Sequence, residues 1–239
     1  MQRLTAPLAM ALILSACSSH DPILPGTRTA IFQKSDVVIL NSNVPNAPEQ
    51  IAAPVVADCP YRQDASNVVW HGDKKIFSGF ATPNSVKSNQ TPVCSGKYVY
   101  AGLTTGELVK IDATTRRIVW IADIYRTSNM TGGASMTDII APIVVRGNWV
   151  YAGGIGDAFC KIKASDGTKI WCANISVAVP FLVTDGVSYV VGGDNYLYAI
   201  RDSDGAAYWR ASVDAQVAPT YENKTITVGK TKINAETGK

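Results

Sequence analysis

Histidine is nearly absent from this chain, with only His20 and His71 in 239 residues. Histidine is the side chain that most often serves as general base at neutral pH, and neither copy stands in a context that suggests a triad. Several other signatures are missing. There is no C-x-x-C pair for zinc, and no G-x-S-x-G, H-E-x-x-H or acidic calcium loop. Gly153-Gly154-Ile155-Gly156-Asp157 is glycine-rich, but a phosphate-cradling loop must open a helix, and Ala158–Lys163 continues as a strand pattern. Charged residues are scarce at 17%, the formal charge is +3, and no basic stripe is visible. This excludes the electrostatic footprint of a nucleic-acid-binding protein. The apolar stretch Ala6–Leu14 is far shorter than the ~20 residues a permanent membrane span needs.

What the chain does have is a repeat. Three copies end in tryptophan: Thr91–Trp120, Ala141–Trp171 and Val179–Trp209; a fourth begins at Ala218 and runs to Lys239. Each copy reads as four short strands, in the first roughly 91–94, 98–102, 107–111 and 117–121. Gly and Asp mark the turns between them: Ser95-Gly96, Arg146-Gly147 and Asp185-Gly186 at the first, Ser165-Asp166-Gly167 and Ser203-Asp204-Gly205 at the third. Such residues tolerate the positive φ of tight hairpins. One four-stranded sheet of this size cannot cover both its faces, and radial stacking of copies does so, which is the logic of a β-propeller. The expected fold is therefore all-β, a short propeller of about four antiparallel four-stranded blades. Trp120, Trp171 and Trp209 are expected to anchor neighbouring blades. Asn67-Val68-Val69-Trp70 resembles the last strand of a repeat lacking its first three, and the fourth copy lacks its last. The expectation is that Trp70 is a fourth anchor and completes the C-terminal blade, closing the ring.

Ahead of the repeats the chain has an export pattern. Arg3, the apolar stretch and Leu14-Ser15-Ala16-Cys17 form a lipobox-like signal, with Cys17 the expected site of lipid attachment. Ser18 rather than Asp follows it, a pattern similar to that of lipoproteins sorted to the outer membrane. Residues 1–16 read as signal peptide, 17–30 as lipid-anchored tether, 31–66 as an irregular segment holding one apolar strand at Val37–Leu40, and 67–239 as the propeller. Export puts Cys59, Cys94, Cys160 and Cys172 in an oxidising compartment. Cys160 and Cys172 flank the Ser165-Asp166-Gly167 turn nearly symmetrically, which suits a cross-strand disulfide and leaves Cys59–Cys94 by elimination. Four cysteines allow three pairings, and free thiols are the remaining reading. Between the first two copies lies the insertion Ala122–Ile140, where Met130 and Met136 are candidate contacts for a partner.

The stretches Val109–Thr115 with Trp120, Tyr198–Gly205 with Trp209, and Asn234–Lys239 resemble the pyrroloquinoline-quinone (PQQ)-like repeat family of β-propellers. With the lipobox and Leu24-Pro25-Gly26-Thr27-Arg28, the pattern is similar to the BamB lipoproteins of outer-membrane β-barrel assembly. The resemblance implies a non-catalytic scaffold, facing the periplasm from an outer-membrane lipid anchor. It implies envelope proteins as partners, in particular a BamA-type assembly machine, and no cofactor. Members of that family have eight blades, and this chain is shorter than eight require. Two other readings stay open. One is a structural subunit of another envelope machine, such as a secretion or pilus system. The other is a quinoprotein-like redox or ligand-binding protein, although the adjacent cysteine pair of the quinoprotein branch is absent. Whether a short ring closes within one chain, dimerises or is a truncated, partial ring is likewise open.

Overall fold

The computed structural model describes residues 37–51, 58–81, 91–125, 138–156 and 158–239. Their regular structure is entirely β, arranged as five successive antiparallel sheets. The first has three strands, β1 (Tyr61–Gln63), β2 (Val68–His71) and β3 (Lys74–Ser78). The second has β4 (Val93–Ser95), β5 (Tyr98–Gly102), β6 (Glu107–Asp112) and β7 (Arg117–Asp123). The third has β8 (Val144–Arg146), β9 (Trp149–Gly154), β10 (Ala158–Lys163) and β11 (Lys169–Ala173). The fourth has β12 (Leu182–Val183), β13 (Val187–Val191), β14 (Tyr196–Arg201) and β15 (Ala207–Ser212), and the fifth β16 (Thr220–Glu222), β17 (Thr225–Val228) and β18 (Thr231–Asn234). In every sheet, strands adjacent in sequence are adjacent in space, so short hairpins suffice. Gly96 and Gly147 sit at φ near +57° in the first turns, a conformation that costs a residue without Cβ nothing.

The middle strands β5, β6, β9, β10, β13 and β14 are buried almost throughout. Both faces of these sheets are covered by neighbours, which explains near-continuous apolar runs rather than simple alternation. Four apolar clusters join consecutive sheets: Val69 with Val99, Ala101 and Ile111; Trp120 with Val150, Ala152 and Cys160; Trp171 with Val190, Tyr198 and Ile200; and Trp209 with Ile226, Val228 and Ile233. The disulfide Cys59–Cys94 ties the chain just ahead of β1 to β4 of the second sheet, and Cys160–Cys172 bridges directly opposed residues of β10 and β11.

Two features depart from the sequence reading. First, Trp70 does not complete the fifth sheet. It lies in β2, between Arg62 of β1 and Lys75 of β3, with its indole N–H donated to Asp64 Oδ2 at 2.8 Å and the Arg62 guanidinium over its ring. The reason is register. In the second, third and fourth sheets the pairing between the last two strands shifts by a residue just after the tryptophan, at Lys110–Trp120, Lys161–Trp171 and Ala199–Trp209. The same shift in the first sheet follows Val69–Phe77. Phe77 on β3 therefore holds the anchor position, and Trp70 lies one strand further in.

Second, part of the segment expected to be irregular is ordered by pairing. β1 begins at Tyr61, and residues 37–51 form a strap across the fourth and fifth sheets. Ile39 bridges Ala207 in parallel, with Ala207 N–H donated to Val38 O and Leu40 N–H to Ala207 O, both at 2.9 Å. Further along, Val44 N–H reaches Glu236 O at 2.8 Å, and Val44 and Ala47 are buried against the fifth sheet. Tyr221 Oη donates to Pro48 O, and Lys224 pairs with Glu49 at 3.4 Å.

Candidate functional site

The turn between the last two strands of each sheet meets the anchor of the sheet before it. Trp120 Nε1 donates to Ala164 O at 3.1 Å, Trp171 Nε1 to Asp202 O at 2.9 Å and Trp209 Nε1 to Glu236 O at 3.1 Å. The indole faces lie on Gly167, Gly205 and Gly238, all at φ between +72° and +79°. A Cβ at Gly205 would stand 2.8 Å from the Trp171 ring, so only glycine permits this approach. The equivalent turn of the second sheet carries Arg116 at φ +57°, with the same N–H bond four residues back. Phe77 packs in the same apolar cluster as Ala113 of that turn.

The junction of the third and fourth sheets adds a buried polar network. Lys161 on β10 is almost fully buried. Its Nζ meets Asp202 Oδ2 at 2.6 Å and lies 4.3 Å from the Trp149 ring centroid. Tyr151 Oη donates to Asp202 Oδ1 at 2.6 Å. Burial, then that hydrogen bond to a carboxylate, pushes the Tyr151 phenol well above its usual range. Both carboxylate oxygens of Asp202 are thereby occupied, one by the phenol and one by the ammonium. The preceding junction differs. Lys110, also buried, meets no carboxylate among the described residues: its Nζ donates to Ala164 O at 2.6 Å and sits 3.8 Å from the Tyr98 ring. Burial, and then Lys97, lower its pKa. Lys97 instead pairs with Asp112 at 2.8 Å and holds that carboxyl down to about 2.

Above this network two clefts share the Arg146–Asp185 pair, which joins the first turns of the third and fourth sheets at 2.8 Å. One, of about 400 Å³, is walled by Arg146, Asn148, Trp149, Tyr151, Asp185 and Asp202. The other, of about 380 Å³, lies between the strap residues Pro45, Pro48 and Ile51 and the fourth-sheet residues Val183, Asp185 and Tyr208. They offer a cation, an anion, an amide and aromatic edges on a rigid base, a set suited to gripping a polar segment of another molecule. Among the described residues, no three His, Cys, Asp or Glu side chains converge as metal ligands, and His71 is stacked on Tyr61 at 4.7 Å.

Of the residues singled out in the sequence, the structure brings Trp120, Trp171 and Trp209 into sheet junctions, sets Trp70 apart and joins the four cysteines in two bridges. Cys17, Met130 and Met136 lie outside the described residues. The Lys161–Asp202 pair was missed, yet a signal exists. At one repeat position Ala113 and Ala164 become Asp202, one copy after a lysine at the facing position.

Radially stacked sheets with an aromatic anchor at each joint, tryptophan at three of the four, define a β-propeller of PQQ-like repeats. Residues 57–210 and 160–239 match the family model described as outer membrane protein assembly factor BamB, and the chain belongs to that family. Curated relatives include BamB of Yersinia pestis, 26% identical over 130 residues, and BamB of Alkalilimnicola ehrlichii, 25% identical over 127; each alignment takes in 53% of this chain and 33% of the relative. The crystal structure of BamB from Moraxella catarrhalis superposes with a TM-score of 0.53 at 16% identity, covering 87% of this chain and 65% of that one. The chain thus spans about a third of the length of the curated relatives it matches.

Proposed function

We propose that this protein is a non-catalytic scaffold of outer-membrane β-barrel protein assembly, lipid-anchored at Cys17 and facing the periplasm. The observation that carries the reading is the family match across residues 57–239, on a fold whose clefts rest on rigid sheet junctions. A scaffold needs fixed geometry more than reactive groups, and the Lys161–Asp202–Tyr151 network is spent on fixing it. The partner is a periplasm-facing part of a BamA-type subunit, engaged through the clefts around Arg146 and Asp185.

The test is photocrosslinking in living cells from a reactive amino acid placed at Asn148. Crosslinks to the barrel-inserting subunit, reduced several-fold by Arg146→Glu, are expected. Crosslinks only to secretion or pilus components would overturn the reading in favour of a different envelope machine. A crosslink-silent protein that binds PQQ with Ca²⁺ would instead favour the quinoprotein alternative.

A further inference from the structure

Sheet edges are a liability that proteins cover, charge or shorten, and this chain treats three equivalent edges differently. The residue just after the register shift is Ala207 on β15, Lys169 on β11 and Ile118 on β7. At β15 the edge is covered by the strap, which leaves Ala207 wholly buried. At β11 the position carries an exposed lysine, a common guard against strand addition. At β7 the equivalent position is apolar, with Arg117 one residue before it, and nothing among the described residues covers it. Ile118, Val119 and Ile121 are 50, 42 and 47% exposed, and among the described residues no backbone group bonds to the outer edge of Arg117–Ile121.

We propose that the outer edge of β7 receives an extended peptide strand from a partner protein, parallel to β7, as the strap lies on β15. The occupant carries aliphatic side chains and an acidic residue at its N-terminal end. The chemistry follows from the edge: exposed Arg116 and Arg117 begin it, the three aliphatic residues fill it and exposed Asp123 ends it. Strand addition draws its affinity from main-chain bonds and its selectivity from such side chains. A second copy in antiparallel pairing would also set Arg117 against Asp123. The strap on β15 is the precedent at the equivalent position, a single extended segment running parallel to the edge, and the sedimentation arm of the test below reads out the second copy. This inference does not depend on the assembly-factor reading.

The probe is a fluorescent, end-capped peptide of residues 36–42, Asp-Val-Val-Ile-Leu-Asn-Ser, which has the stated chemistry. Its anisotropy is titrated with the full chain in detergent and with Ile118→Lys and Ile121→Lys. Both positions are exposed, and unchanged melting by circular dichroism checks the fold. Saturable binding, weakened about tenfold or more by either lysine, is expected from loss of the edge. Three results would overturn the proposal: no binding to the unmodified chain, binding indifferent to both lysines, or self-association in sedimentation that the lysines abolish, which would make a second copy the occupant.

Discussion

Replacing Trp171 by alanine is expected to lower stability by about 3–5 kcal/mol, the usual range for a buried aromatic truncated in a core. In a domain of this size that corresponds to a melting temperature lower by roughly 10 °C. Three losses coincide. The indole packs in the apolar cluster joining the third and fourth sheets, beside Phe159 at 5.7 Å. Its N–H leaves Asp202 O. The face of Gly205, at φ +78°, loses the ring that covers it. The cavity cannot collapse freely, because the strands on both sides are held in their own ladders. Urea denaturation followed by circular dichroism measures the effect. A loss below about 1 kcal/mol, the scale of a surface change, would mean that Trp171 is not an anchor.

Asp202→Ala is expected to cost a similar ~3–5 kcal/mol, because it strands a charged lysine in the joint. Lys161 is 5% exposed and meets the carboxylate at 2.6 Å, and Tyr151 loses its acceptor at the same time. The comparison with Lys110 sharpens this. Lys161→Met leaves Asp202 without its cation, so it too is expected to destabilise. Lys110→Met leaves no carboxylate behind, and Ala164 O keeps the Trp120 N–H as donor. That substitution is expected to be neutral or stabilising. The pH dependence of Lys110 points the same way. Its folded pKa is lowered from 10.5, so the unfolded chain binds more protons below that value. Its penalty is therefore fully present at neutral pH and fades as pH rises towards 10.5. Parallel thermal melts of the three variants decide the matter; equal losses at Lys110 and Lys161 would contradict the role given to Asp202.

The architecture was legible where local chemistry decides it. The turn glycines, the alternation in Tyr98-Val99-Tyr100 and the recurrent tryptophans define four-stranded units in a way a single sequence can express. What escaped depends on contacts distant in sequence. Trp70 looked like an anchor because Val-Val-Trp matches the end of a repeat. Strand position is fixed instead by the hairpin at Gly72 and the register shift after Val69, and these give the role to Phe77. Val37–Leu40 reads as an apolar strand, but its partner Ala207 lies far along the chain, and the Pro/Asn-rich stretch after it gives no sign of the strap it forms. Asp202 was hidden because an acid in a turn is ordinarily explained by the turn alone, and its partner Lys161 lies 41 residues away.

The central claim is a relay in which each sheet is held by the next through one aromatic anchor, with Phe77 opening the series and Trp209 closing it. Hydrogen exchange by mass spectrometry on Trp70→Ala and Phe77→Ala tests it directly. The expected result is that Phe77→Ala loosens β1–β3 and the facing β5 and β6, whereas Trp70→Ala leaves β16–β18 as protected as in the unmodified chain. Loss of protection in β16–β18 on replacing Trp70, with Phe77→Ala silent, would contradict the relay and restore Trp70 as the residue that closes the ring.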